Sequence, residues 1–156
     1  MNYKVLKFIP ALVLLIALAH YISCTPLSCT EKTESLVNAT FYKNGTDSIR
    51  TAVSLTVYGL GRDTSKIYNK ALKVKIVQIP LDASVGTCGF VFKVNDIIDT
   101  LTLTYTSYPH LISKECGYTY YHILDSYTVT GNTVDTIIFM NSRITTINEE
   151  NIRIFY

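Results

Sequence analysis

Residues 100–106 read Thr-Leu-Thr-Leu-Thr-Tyr-Thr, and that strict alternation restricts what the segment can become. An extended strand sends successive side chains to opposite faces, so Leu101, Leu103 and Tyr105 share one side and the threonines the other. Gly89–Val94 offers a partner strand, and Asn95-Asp96 between the two arms carries the residue types that turns require. The segment therefore reads as half of a β-hairpin whose apolar face has to be covered by a second layer.

The same period recurs along the chain. Leu36–Tyr42 is strand-like and is followed by Asn44-Gly45, a tight-turn signal. Ile49–Tyr58 resumes with β-branched residues and ends at Gly59-Leu60-Gly61, which reads as a turn because it lacks the third glycine and following helix of a phosphate loop. Ala71–Ile79 reads as one half-buried strand with Leu72, Val74 and Ile76 set against Lys73, Lys75 and Val77, closed by Pro80. Further strands fit Tyr118–Ile123, Ser126–Val129, Thr136–Met140 and Ile152–Tyr156, and a helical turn fits Ser65–Lys70. Many short strands punctuated by turns predict an all-β fold, an antiparallel β-sandwich-like domain. A transmembrane barrel would need strands of about 10 residues with a continuous lipid-facing stripe, and most segments here are shorter.

The head of the chain is of a different kind. Lys4 and Lys7 precede an apolar run, Phe8–Ala19, broken only by Pro10, and Ser23 then stands directly before Cys24. A basic start, a short apolar stretch and a small residue at the boundary describe a secretory signal, and the run falls short of the about 20 residues that a spanning helix needs. An uncleaved anchor that takes in His20, Tyr21 and Ile22 is the alternative. The Ser23-Cys24 step resembles the bacterial lipobox, although Tyr21 departs from the usual Leu or Val three residues before the cysteine. On this reading residues 1–23 are a lipoprotein signal peptide, residues 24–34 are the lipidated Cys24 with a short tether, and residues 35–156 form a single β-rich domain. Several acyl chains would hold the domain on a membrane, since one chain alone binds only reversibly. Thr25 stands where an inner-membrane retention signal would place Asp, so the outer membrane is the expected site.

Formal net charge is +2, and Lys4 and Lys7 would leave with the signal. No basic patch suggests a nucleic-acid partner. Taking Cys24 out for lipid leaves Cys29, Cys88 and Cys116, an odd set for an oxidising compartment. Cys29–Cys116 is the preferred pair, pinning the first mature segment to a distant strand, and Cys88–Cys116 is the rival. Neither the spacings nor the histidine count match a zinc site.

Proton-transfer chemistry could come only from His110, placed in a loop after Pro109, and His122, placed on a strand. No serine or cysteine stands in a nucleophile motif. No catalytic residue, metal site or cofactor is therefore expected. Asn95, Asp96 and Asp99 bring oxygens together near the hairpin, without calcium-loop spacing, and read as a solvated turn. Glu149-Glu150 reads the same way. Tyr118 and Tyr120 share a strand face and Tyr121 takes the other; tyrosine combines apolar area with a hydroxyl, which suits a surface for glycan or protein.

The string Leu111-Ile112-Ser113-Lys114-Glu115-Cys116-Gly117-Tyr118 and the later Asn148-Glu149-Glu150-Asn151-Ile152-Arg153-Ile154 resemble an uncharacterised lipoprotein family of Bacteroidota. Phe41-Tyr42, Val57-Tyr58-Gly59-Leu60-Gly61 and Ile79-Pro80-Leu81 fall where that family has similar motifs. The resemblance implies a small β-rich envelope protein, supports pairing of Cys29 with Cys116, leaves Cys88 as a departure, and implies no activity. In that lineage O-glycans attach at Asp-Ser/Thr followed by an aliphatic residue. Ser48, Thr100 and Thr136 each stand in such a triplet. The expectation is a non-enzymatic envelope lipoprotein on the periplasmic side of the outer membrane, with an unknown envelope protein as partner or, alternatively, a glycan.

Overall fold

A computed structural model describes residues 28–156, so the signal-peptide reading of residues 1–23 and the lipidation site Cys24 lie outside the described residues. Residues Glu31–Tyr156 form one compact unit. Among the described residues the fold is all-β, as expected, with strands in two sheets. In chain order these are β1 (Leu36–Tyr42), β2 (Ala52–Gly59), β3 (Lys66–Val74), β4 (Ile76–Pro80), β5 (Thr87–Val94), β6 (Ile97–Ser113), β7 (Gly117–Val129), β8 (Thr136–Phe139), β9 (Arg143–Ile144) and β10 (Ile152–Phe155). The smaller sheet has the order β4-β1-β10-β8 and the larger β3-β2-β5-β6-β7-β9. Neighbouring strands run antiparallel except β1 and β10, which pair in parallel with Ala39 opposite Ile152.

The hairpin read from the Thr-Leu alternation is present. Val94 pairs with Ile97 across a two-residue turn in which Asn95 and Asp96 both hold positive φ, 49° and 74°. That backbone matches the twist of the flanking strands, and Asn and Asp tolerate it better than most residues. Leu101, Leu103 and Tyr105 are buried as the alternation requires. They meet Phe90 and Phe92 of β5, Leu55 and Val57 of β2, and, from the smaller sheet, Val37, Phe41, Ile79, Ile152 and Ile154 in one core. Each such side chain withdrawn from water stabilises by about 1.5–3 kcal/mol, and this core joins the two sheets face to face. Phe41 also meets the Tyr156 ring edge-on at 5.4 Å, which seats the last residue of the chain in the core.

Several expectations are corrected. Ser65–Lys70 contributes to strand β3 rather than to a helical turn. Lys70 and Lys73 take positive φ there, so the partly covered positions fall at Tyr68, Ala71 and Val74, a spacing of three that imitates a helix in sequence. Ala71–Ile79 is two strands of different sheets, since the chain leaves the larger sheet after Val74 and enters the smaller at Ile76. Val77 and Ile79 face the core while Leu72 and Ile76 are exposed, against the phase read from sequence, and of the expected inner face only Val74 packs on the core. Tyr118–Ile123 and Ser126–Val129 belong to one strand, β7, whose pairing with β6 shifts register near Leu124. His110 lies within β6, because Pro109 sits there opposite Tyr120 without ending the strand.

Candidate binding surface

Along the inner face of the β6–β7 arm the core gives way to solvent. Tyr105 stands opposite Leu124 and Ser107 opposite His122, followed by Pro109 with Tyr120 and Leu111 with Tyr118. Tyr105, Leu124 and His122 are buried, whereas Tyr120, Leu111 and Tyr118 are 49%, 47% and 73% exposed. Tyr118 and Tyr120 thus share a face, an outward continuation of the core face. Tyr121, on the opposite face, stacks on His110 at 4.1 Å and meets Tyr108 edge-on at 6.1 Å.

Where the core ends, a groove of about 750 Å³ opens, lined by Leu36, Tyr68, Pro80, Leu81, Tyr120 and His122. Residues Thr33–Leu36 border it and are held against β7: Thr119 Oγ1 donates to the Thr33 carbonyl at 2.5 Å, and Ser35 Oγ donates to the Tyr120 carbonyl. A second recess, about 390 Å³ and polar, adjoins the same segment and includes Lys32, Glu34, Asn38, Gln78 and Asn148. Gln78 lines both, donating through Nε2 to Asn38 Oδ1 at 2.9 Å. An apolar groove beside amide-bearing walls suits an extended ligand whose apolar and polar groups lie on different sides.

His122 lines the groove, and its Nδ1 lies 2.8 Å from Ser107 Oγ. Burial holds the ring below the usual histidine range, so it is neutral at pH 7. Sequence reasoning missed Ser107, and counting pairs back from the Ser113–Gly117 turn would have set it opposite Ile123, because the register shifts by one between Ser113 and Leu111. Among the described residues no carboxylate hydrogen-bonds the ring, and no cluster of His, Cys, Asp and Glu is arranged to hold a metal.

The acidic turns prove to be built structure. Asp96 is exposed and pairs with Lys93 at 2.8 Å, but Asp99 is 1% exposed rather than solvated. Its Oδ1 accepts from Thr130 Oγ1 (2.7 Å) and Asn132 N (2.6 Å), and its Oδ2 from Thr133 N (2.8 Å) and Val134 N (3.0 Å). Burial by itself would raise this carboxyl, yet the four donors outweigh it and hold its pKa below the ordinary value. Glu150, likewise read as solvated, is half-buried and accepts from Tyr42 Oη (3.1 Å) and Arg153 Nε (2.9 Å).

Cys29 and Cys116 are joined in a disulfide, and Cys88 is free. Cys88 Sγ lies 2.9 Å from Tyr105 Oη, which donates to the Asp82 carbonyl at 2.8 Å. Burial, then the neighbouring thiol, raises the Tyr105 hydroxyl well above the usual tyrosine range. Of the three O-glycan triplets, Ser48 lies in an exposed loop and Thr136 is exposed on the edge strand β8. Thr100 is half-buried, facing Val91 within the larger sheet.

No curated protein and no solved structure matches the chain. A family model described as a family of unknown function, DUF6452, matches residues 54–156, from within β2 to the end of the chain. That match covers both arms of the tyrosine-bearing hairpin and Cys116, and on its extent the chain belongs to this family of unknown function.

Proposed function

We propose that the protein is a lipid-anchored, non-enzymatic module of a Bacteroidota cell envelope that holds a partner protein at the periplasmic face of the outer membrane. The observation that carries this reading is the Cys29–Cys116 disulfide behind a lipobox-like head. Disulfides persist outside the reducing cytoplasm, and the order Lys4, Lys7, Phe8–Ala19, Ser23, Cys24 is that of an exported, acylated chain. The partner surface is the groove beside β7, where Tyr120 is half exposed next to Leu36, Pro80 and Leu81. Tyrosine and the other aromatic side chains are enriched at protein interfaces relative to the rest of the surface.

A photo-reactive side chain at position 120 of the full chain, expressed in its native envelope, tests this. One specific protein adduct at 120, and none from the same group at Ile97 on the far end of β6, is expected. Equal labelling at both sites contradicts the proposal. The exposure of Tyr118 and Tyr120 also favours a second reading, a glycan-binding accessory of a polysaccharide system, in which sugar rings stack on tyrosines. Retention of the protein on cell-wall or capsular polysaccharide, lost on Tyr120→Ala, would select that reading.

A further inference from the structure

We infer that the tip of the β6–β7 arm docks on the lipid surface that carries the anchor, through Leu111, Lys114 and Tyr118; the inference rests on Cys24 being the acylated residue. Cys24 and Cys29 are five residues apart (29 − 24 = 5). Fully extended, that chain spans at most about 18 Å. Crossing the disulfide adds about 5.5 Å between α-carbons. Cys116 is therefore held within about 24 Å of the anchoring residue. The other end of the arm is out of reach, because Leu111 and Ile97 are 14 residues apart on one strand (111 − 97 = 14). At strand rise that is about 46 Å. The staple puts the tip of this arm, and not its far end, within reach of the anchor.

The tip also has the composition that a bilayer interface selects. Tyr118 and Leu111 are cross-strand partners on one face, 73% and 47% exposed, so together they present an uncovered apolar surface. Tyrosine is enriched at headgroup depth, where its ring is sheltered and its hydroxyl stays hydrated. Lys114, exposed in the turn itself, can lay its stem on the acyl boundary and keep its ammonium among phosphates. Docking here would leave the groove at Tyr120 beside the membrane and set its direction of access.

The chain contains no tryptophan, so a single introduced one reports by itself. The probe is the acylated mature protein, beginning at Cys24, in phosphatidylethanolamine–phosphatidylglycerol vesicles brominated near the top of the acyl chains. Tyr118→Trp should lose about half its emission relative to unbrominated vesicles, while Ile97→Trp should be unchanged. Leu111→Trp is a second reporter at the tip should Tyr118→Trp fold poorly. Removing the staple with Cys29→Ser and Cys116→Ser together should bring the tip signal toward that of position 97. Acylated protein that floats with the vesicles but shows no quenching at 118 or 111 overturns the inference alone. Protein that carries no acyl chain overturns both it and the proposed function.

Discussion

Replacing Asp99 with Asn tests the most heavily used polar group in the fold. The carboxylate accepts four hydrogen bonds, two on each oxygen, and three of the donors are consecutive backbone amides, from Asn132 to Val134. These bonds seat the 130–134 loop so that Val134 enters the core. Asparagine keeps one acceptor oxygen and turns an NH₂ group toward the other two donors. Two bonds are lost and two donors are left facing a donor, at about 1–2 kcal/mol each, so Asp99→Asn should destabilise by about 2–4 kcal/mol. With a urea slope of about 2 kcal/mol per molar, the midpoint should fall by roughly 1–2 M. Far-UV circular dichroism in urea at pH 7, disulfide intact, reads this directly. The pH dependence has a definite sign. The folded pKa of Asp99 lies below its unfolded value of about 3.9, so its contribution is full above that value and lost as pH falls from there through the folded pKa. The gap between wild type and Asp99→Asn should therefore narrow below about pH 4. A loss under about 0.5 kcal/mol at pH 7, or a gap independent of pH, would refute the assignment.

Reducing the Cys29–Cys116 disulfide, or the double Ser variant, frees a loop of nearly ninety residues and should cost about 4–5 kcal/mol in the chain-entropy account, read as a lower thermal midpoint. Burial keeps His122 neutral, so its ring proton in NMR should titrate below about 6.5; stability present above that value should decline as pH falls from it toward the folded pKa. A titration at or above 6.5 contradicts the buried environment. Tyr105→Phe removes the hydroxyl that joins Asp82 and Cys88, and should cost about 1–2 kcal/mol by urea denaturation. An unchanged midpoint would mean that water replaces those bonds.

What the sequence carried, it carried locally. Thr100–Thr106 announced its strand, its buried face and its turn because one face of a two-residue hairpin meets the core, so pattern and environment coincide. Ala71–Ile79 misled for the opposite reason: the period-2 pattern runs on through it, while positive φ at Lys70 and Lys73 breaks the alternation in β3 and the backbone changes sheets after Val74. The left-handed residues Lys70 and Lys73 left no mark, since lysine does not advertise such a conformation as Gly or Asn would. Parallel pairing of β1 with β10 joins segments more than a hundred residues apart and has no local signal. The binding surface was half legible. The shared face of Tyr118 and Tyr120 follows from spacing, but the groove walls, Leu36, Tyr68 and Leu81, meet only in the folded chain. Asp99 looked like any aspartate beside a turn, because its four donors lie more than thirty residues downstream.

The central claim is that acylation at Cys24 fixes this β-sandwich to the cell envelope, and labelled palmitate measures it most directly. Wild-type protein expressed in a Bacteroidota host should incorporate the label and fractionate with the outer membrane, and Cys24→Ser should do neither. A wild-type protein that stays unlabelled, or a Cys24→Ser variant that labels as well as wild type, would contradict the account.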